Sequence, residues 1–219
     1  TRRRFPVGKT LLYVFMSLWA LTTIYPFIWV ILNSFKPRGL IRSDTFSLPI
    51  GDKFTLENYV TAFKRVDIGT TYVNSIVISG AVTVVVMVLA GLAAYAMVRY
   101  SFRLRGFLHS MIIASMMFPV FSTIIPVFRM ESSWGIVNTG SIWLTRLSVV
   151  LPQIAGNLSF AIIVLMGFIR SLPVDLEEAA YLEGYNVYQI FFRIIMPLAK
   201  PSFATVGIFT FLWSYNDLF

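Results

Sequence analysis

The sequence has no cysteine and one histidine, His109. Without cysteine there is no disulfide framework, no thiol nucleophile and no thiolate metal site. A single histidine excludes a multi-histidine metal centre. Charge is the next scarcity. Only 13% of the 219 residues are Asp, Glu, Lys or Arg, against about 25% in a soluble domain. These few charges cluster and leave long uncharged windows. A large soluble helical core would not be built that way. Nor do clustered His or paired carboxylates recur at one depth, which argues against an enzyme embedded in a membrane.

What the sequence has is apolar bulk: 57% of residues are hydrophobic and mean hydropathy is +0.76. A bilayer core takes about 20 apolar residues per helix. The pattern therefore predicts an all-α, polytopic membrane helical bundle. The net charge of +8 would suggest nucleic acid in a soluble protein. Here Lys and Arg lie between apolar windows, where they orient spans and meet anionic lipid heads. No nucleic-acid partner is expected.

Residues 10–35 carry no charge, and a first span is expected at 11–35, kinked at Pro26. It is too long for a cleaved signal sequence and has no small-residue cleavage site, so it reads as retained. Gly8-Lys9-Thr10 imitates a P-loop, but the position needing the first glycine holds Arg3. Residues 36–67 are polar and of mixed sign. Leu56, Tyr59, Val60 and Phe63 recur there at helical spacing, predicting a short amphipathic helix. Further spans are expected at 70–98, at 106–128 (broken by Pro119 and Pro126), at 146–169 and at 201–219. The fifth stops partway, so a sixth is expected after Phe219.

Orientation follows from basic residues. With the N-terminus inside, the segments 1–10, 99–106 and 170–200 hold ten Lys and Arg; the outer segments hold eight, six of them in the single long loop 36–67. Short-loop bias thus favours a cytoplasmic N-terminus. It also makes 36–67 extracytoplasmic and 170–200 cytoplasmic.

That last loop is anomalous. It holds four of the chain's ten acidic residues between two apolar spans. Pro173 is placed as an N1 proline, followed by Asp175, Glu177 and Glu178, which favour a helix N-terminus. Gly184 stands where a left-handed C′ residue would end that helix. Asn186 and Gln189 have capping-box spacing for a second helix, with Val187, Ile190, Phe191, Ile194 and Ile195 on one face. Pro197 is expected to end it. The predicted shape is helix, glycine turn, helix, return to the membrane.

Glu178-Ala179-Ala180, three residues, Gly184, nine residues, Ile194, one residue, Met196, Pro197 resembles the "EAA" loop of ABC-importer membrane permease subunits. Only Met196, for leucine, departs from that pattern. Tyr25-Pro26-Phe27, Ser34-Phe35-Lys36-Pro37, Leu172-Pro173 and Trp213-Ser214-Tyr215-Asn216-Asp217 match as well. Together they look like the carbohydrate-uptake branch, similar to the second permease of maltose-type transporters. The resemblance covers nearly the whole chain. It implies one transmembrane permease domain over 1–219, in a bacterial cell membrane, with no catalysis or metal of its own. The loop would dock on a cytoplasmic ABC ATPase dimer through Glu178, Ala179, Ala180, Gly184 and Pro197. ATP and Mg would belong to that partner. A second homologous permease and an extracytoplasmic solute-binding protein would complete the assembly.

Gln153, Asn157, Tyr215 and Asn216 are candidates for the substrate pathway, because amides and aromatic rings suit sugars. The same residues could equally be polar packing contacts between helices. The alternative reading of the chain is a secondary carrier or channel subunit. Such proteins place ionisable groups inside their spans for coupling, and these span interiors hold none away from their ends.

Overall fold

The computed structural model describes residues 7–217. Every regular element among them is helical. The chain divides into two compact units, with the boundary between Thr71 and Tyr72.

The first unit begins with α1 (Val7–Ser34), which runs on through Pro26. Its most apolar window is entirely uncovered, a surface that suits lipid and not water. Two short helices follow, α2 (Arg38–Ser43) and α3 (Glu57–Arg65), with a 3-10 turn at Gly51–Lys53 between them. The amphipathic helix expected near 55–65 is α3.

This segment is tied to the end of α1 by three side chains. Lys36 is fully buried, and its Nζ donates to the carbonyls of Asp44 (3.0 Å) and Thr45 (2.9 Å). Asn58 Nδ2 donates to the carbonyls of Ser34 and Lys36 at 3.0 and 2.7 Å. The Phe35 ring stacks on Phe54 and lies against Tyr59. A buried ammonium without hydrogen bonds would be prohibitively costly; the two carbonyls meet that need.

The second unit holds all but the first turn of α4 (Ile68–Arg99), then α5 (Arg105–Ser115), α6 (Val120–Ser133), α7 (Ile142–Ile169), α8 (Asp175–Leu182), α9 (Val187–Ile190), a π-helical turn at Phe191–Ile195, α10 (Met196–Leu198) and α11 (Lys200–Tyr215). Asp67 caps α4: its carboxylate accepts from the backbone N–H and the hydroxyl of Thr70. α1, α4 and α7 are long and apolar enough to cross a membrane, and the bent pair Val187–Leu198 and Lys200–Tyr215 qualifies when taken together.

The stretch 106–128 is not one helix. Residues 116–119 separate α5 from α6. Pro119 has no N–H to donate and pushes Phe118 out of helical geometry. Pro126 lies inside α6 without breaking it. Neither piece, at 11 and 14 residues, would alone cross a core of about 30 Å at about 1.5 Å per residue.

The core of this unit forms where α4, α7 and α11 meet the loop. Val82, Val86, Ala90 and Ala94 lie one turn apart along α4 and are fully buried. Close packing rather than water exclusion must hold such helices in lipid. Gly91 shows how tight it is: an added Cβ would lie 2.8 Å from the Phe203 ring and 3.0 Å from Phe191. Polar ties cross the same bundle. Ser214 in α11 donates to Gln153 Oε1 in α7, and its oxygen lies 3.2 Å from Ser79 Oγ in α4, in position to accept that hydroxyl's hydrogen. The Phe160 ring packs on Trp213 at 4.8 Å.

Candidate functional site

The candidate site is the loop 170–200. α7 ends at Ile169 and the chain turns through Leu172, whose N–H donates to the Ile169 carbonyl. α8 starts at Asp175 with Val174 in the cap position. Pro173 therefore precedes the cap and is not the first helical residue. The N–H groups of Glu177 and Glu178 both bond the Val174 carbonyl, so the cap's own backbone closes the first turn. Asp175, Glu177 and Glu178 sit in that turn, where the helix dipole favours anions.

α8 ends in a Schellman motif. The Tyr185 N–H reaches back to the Ala180 carbonyl and the Gly184 N–H to Tyr181, both at 3.0 Å. Gly184 has φ +85°, the left-handed geometry that glycine adopts without penalty. Asn186 then caps α9 with a full capping box: Asn186 and Gln189 each accept the other's backbone N–H at 2.9 Å. The glycine turn and the box both follow the sequence expectation.

The second helix does not end at Pro197. It widens into the π-helical turn at Phe191–Ile195, where the Met196 N–H bonds the Phe191 carbonyl. It then continues as α10 and breaks at Ala199, and the two limbs make an angle of 82°. A wider turn upstream makes room for the proline ring, which would otherwise press on the carbonyl four residues back.

The five residues expected at a docking surface fall into two groups. Glu178, Ala179 and Gly184 are exposed, on α8 and at its end. Ala180 is buried beneath the helix, facing the chain's own core. Pro197 is exposed but lies apart from α8, near the end of the limb Val187–Leu198. Next to Glu178, the carboxylate of Glu177 turns inward, where Arg99 Nε donates to Oε1 and the Tyr95 hydroxyl to Oε2. This inward pair was not singled out by sequence reasoning. The Tyr181 and Tyr100 hydroxyls share a hydrogen bond at 3.1 Å, which pushes Tyr181 up to about 12.

The four candidate pathway residues lie on α7 and at the end of α11. Gln153 is buried with its Oε1 taken by Ser214, and Asn157 Nδ2 donates to the Gln153 carbonyl at 2.7 Å. Tyr215 stacks on Phe211 with centroids 5.8 Å apart. Asn216 is exposed and donates to the Leu212 carbonyl. For Gln153 the packing reading describes what its side chain does in this structure.

Among the described residues every regular element is helical, and several helices are long and apolar enough to cross a membrane, which fits a multi-pass membrane protein. The chain belongs to the family of binding-protein-dependent transport system inner membrane components, whose model matches residues 86–219. It is similar to the diacetylchitobiose uptake system permease protein NgcG of Streptomyces coelicolor, 35% identical over 94% of this chain and 65% of that protein. The probable ABC transporter permease protein YurM of Bacillus subtilis is 30% identical over 99% of this chain and 69% of its own length. The trehalose transport system permease protein SugB of Mycobacterium tuberculosis is 33% identical over 89% and 68%. The chain thus spans about two thirds of the length of these curated relatives, 65% in the case of NgcG. Its fold matches a chain in the crystal structure of a bacterial ABC transporter involved in the import of the acidic polysaccharide alginate. The TM-score is 0.79 at 23% identity, over 99% of this chain and 74% of that one.

Proposed function

We propose that this chain is a permease subunit of an ATP-binding-cassette importer, passing a sugar, most simply an oligosaccharide, across a bacterial cell membrane by alternating access. The loop 170–200 faces the cytoplasm, as does the N-terminus. Its docking partner is a dimer of ATPase subunits, which hold ATP and Mg and do the hydrolysis. A second homologous permease and an extracytoplasmic solute-binding protein complete the complex. The permease itself performs no chemistry.

One observation carries this reading. Glu178 and Ala179 stand exposed on a short helix whose far end is fixed by the Gly184 turn and the capping box. A charged, small-residue surface on a rigid protrusion suits insertion into a protein groove. Glu178 offers the charge, Ala179 close approach, and Gly184 the turn. Ala180 acts from underneath, setting how α8 is seated, and Pro197 offers an exposed ring near the end of the limb Val187–Leu198. Closing of the ATPase dimer would then move the loop, and with it the spans.

The names of NgcG and SugB support a sugar as cargo. Asn157, Tyr215 and Asn216 remain candidates for contacts along the pathway, with Gln153 tied into the packing beside them.

The test is purification of the complete complex through a tag on this chain. A bound ATPase and a second permease are expected, and ATP-dependent uptake in proteoliposomes should be competed by oligosaccharides. Uptake that needs an ion gradient and no ATPase would instead identify a secondary carrier.

A further inference from the structure

Glu177 and Glu178 are neighbours at the start of α8, yet they face opposite ways. Glu178 is exposed, whereas Glu177 is 4% exposed. What holds Glu177 comes from α4, far away in sequence. The Tyr95 hydroxyl donates to Oε2 at 2.7 Å, and Arg99 Nε donates to Oε1. The other arm of Arg99, Nη2, donates to the Leu172 carbonyl at 2.9 Å, where the chain leaves α7. The Tyr95 ring also lies against Phe191, centroids 5.6 Å apart. At Gly91, one turn before Tyr95, the rings of Phe191 and Phe203 leave no room for a Cβ.

Positions 91, 95 and 99 recur every four residues and form one stripe on α4. That stripe touches the loop at its entrance, on its first helix and on its second. Covalently, the loop joins only α7 and α11. α4 has no covalent link to it and is held to it by side-chain contacts, with the polar ones along this stripe made by Tyr95 and Arg99.

We propose that Tyr95, Arg99 and Glu177 form a clamp that makes α4 and the loop move as one body, so that displacement of the docked loop passes directly into α4. The proposal rests on the reading that the loop docks on an ATPase. Its physical basis is the cost of a half-open state. Separating a buried, hydrogen-bonded ion pair leaves an unpaired charge away from water. Such a contact is held or broken, with no cheap intermediate, and it resists slippage far better than apolar packing. These are positioning residues, distinct from Glu178 on the outer face.

The test exploits the absence of cysteine from this chain. Arg99→Cys and Glu177→Cys are combined, the complete complex is reconstituted in proteoliposomes, and uptake and ATP hydrolysis are measured before and after a short bis-maleimide joins the two thiols. The ATPase is expected to stay bound, while uptake per ATP hydrolysed falls roughly tenfold. Joining the thiols should restore most of it, which a role confined to folding would not produce. Unchanged coupling in the double variant overturns the clamp. So does a loss that cross-linking leaves in place, or release of the ATPase by the variant alone. A wild-type complex with no ATPase bound would overturn the docking reading and the clamp with it. If the double variant fails to reach the membrane, Glu177→Gln serves instead. About fivefold weaker coupling is then expected, and an unchanged ratio of uptake to hydrolysis overturns the proposal.

Discussion

Arg99, the last residue of α4, donates to Glu177, the third residue of α8, across a separation of 78 positions. Both side chains are at most a tenth exposed. Removing one partner strands the other's charge. Glu177→Ala should therefore destabilise the chain by about 3–5 kcal/mol. Arg99→Met with Glu177→Leu should cost clearly less than the two single truncations added together, because no charge remains. Thermal unfolding of the purified chain in detergent, arranged as a double-mutant cycle, measures this; strict additivity would show that the two side chains act independently.

Glu178→Lys reverses a charge that touches nothing in this chain's own core. Membrane insertion and thermal stability should stay near wild type. Association with the proposed ATPase, read by co-purification, should fall strongly, and ATP-dependent uptake with it. Retained uptake would move the docking surface elsewhere.

Gly184→Val places a β-branched residue at φ +85°. There is open space around a Cβ at that position, so the penalty comes from the backbone. It should reach about 1–2 kcal/mol or more and loosen the joint between α8 and α9. Faster exchange of the Tyr185 amide, with weaker ATPase pull-down, is the expected signature.

Gly91 and Gly207 offer a paired comparison. A Cβ at Gly91 meets two aromatic rings, at 2.8 and 3.0 Å, whereas one at Gly207 meets Met87 Sδ at 3.1 Å. Methionine can swing aside, and packed rings cannot. Gly91→Ala should cost about 1–3 kcal/mol, while Gly207→Ala should be close to neutral. Melting temperatures of the two variants decide it.

Asp67 tests the electrostatics at the start of α4. The Thr70 hydroxyl and N–H hold its carboxyl below the usual value of 3.8. The fold thus favours the charged form. The contribution of this cap is present above about pH 4 and is lost as pH falls through the lowered value. Carbon-13 titration of the Asp67 carboxyl should give a midpoint under 3.8, rising towards it in Thr70→Val.

Where local chemistry decides structure, the sequence was informative. Gly184 and the Asn186–Gln189 box need only neighbours within a few residues, and both formed as their spacing implies. Hydropathy alone marks α1, α4 and α7. Long-range partners leave no such trace. Arg99 looks like an ordinary loop cation until α8 is packed beside it. Which of two adjacent carboxylates turns inward depends on the rotation of α8 against α4. Lys36 sits in a polar stretch and would pass for solvated, because its partners are backbone carbonyls with no signature of their own. Pro197 suggested a helix end, but a π-helical turn upstream absorbed it and moved the break to Ala199.

The corner at Ala199 determines how motion is redirected. Its two limbs stand at 82°, close to a right angle. A thrust along the axis of the first limb arrives at the base of α11 almost wholly from the side. It can tilt α11 about a point deeper in the bundle, but it can hardly slide that helix lengthwise. Any opening driven through this corner would be a change of slant, in the manner of a bell crank and not of a piston.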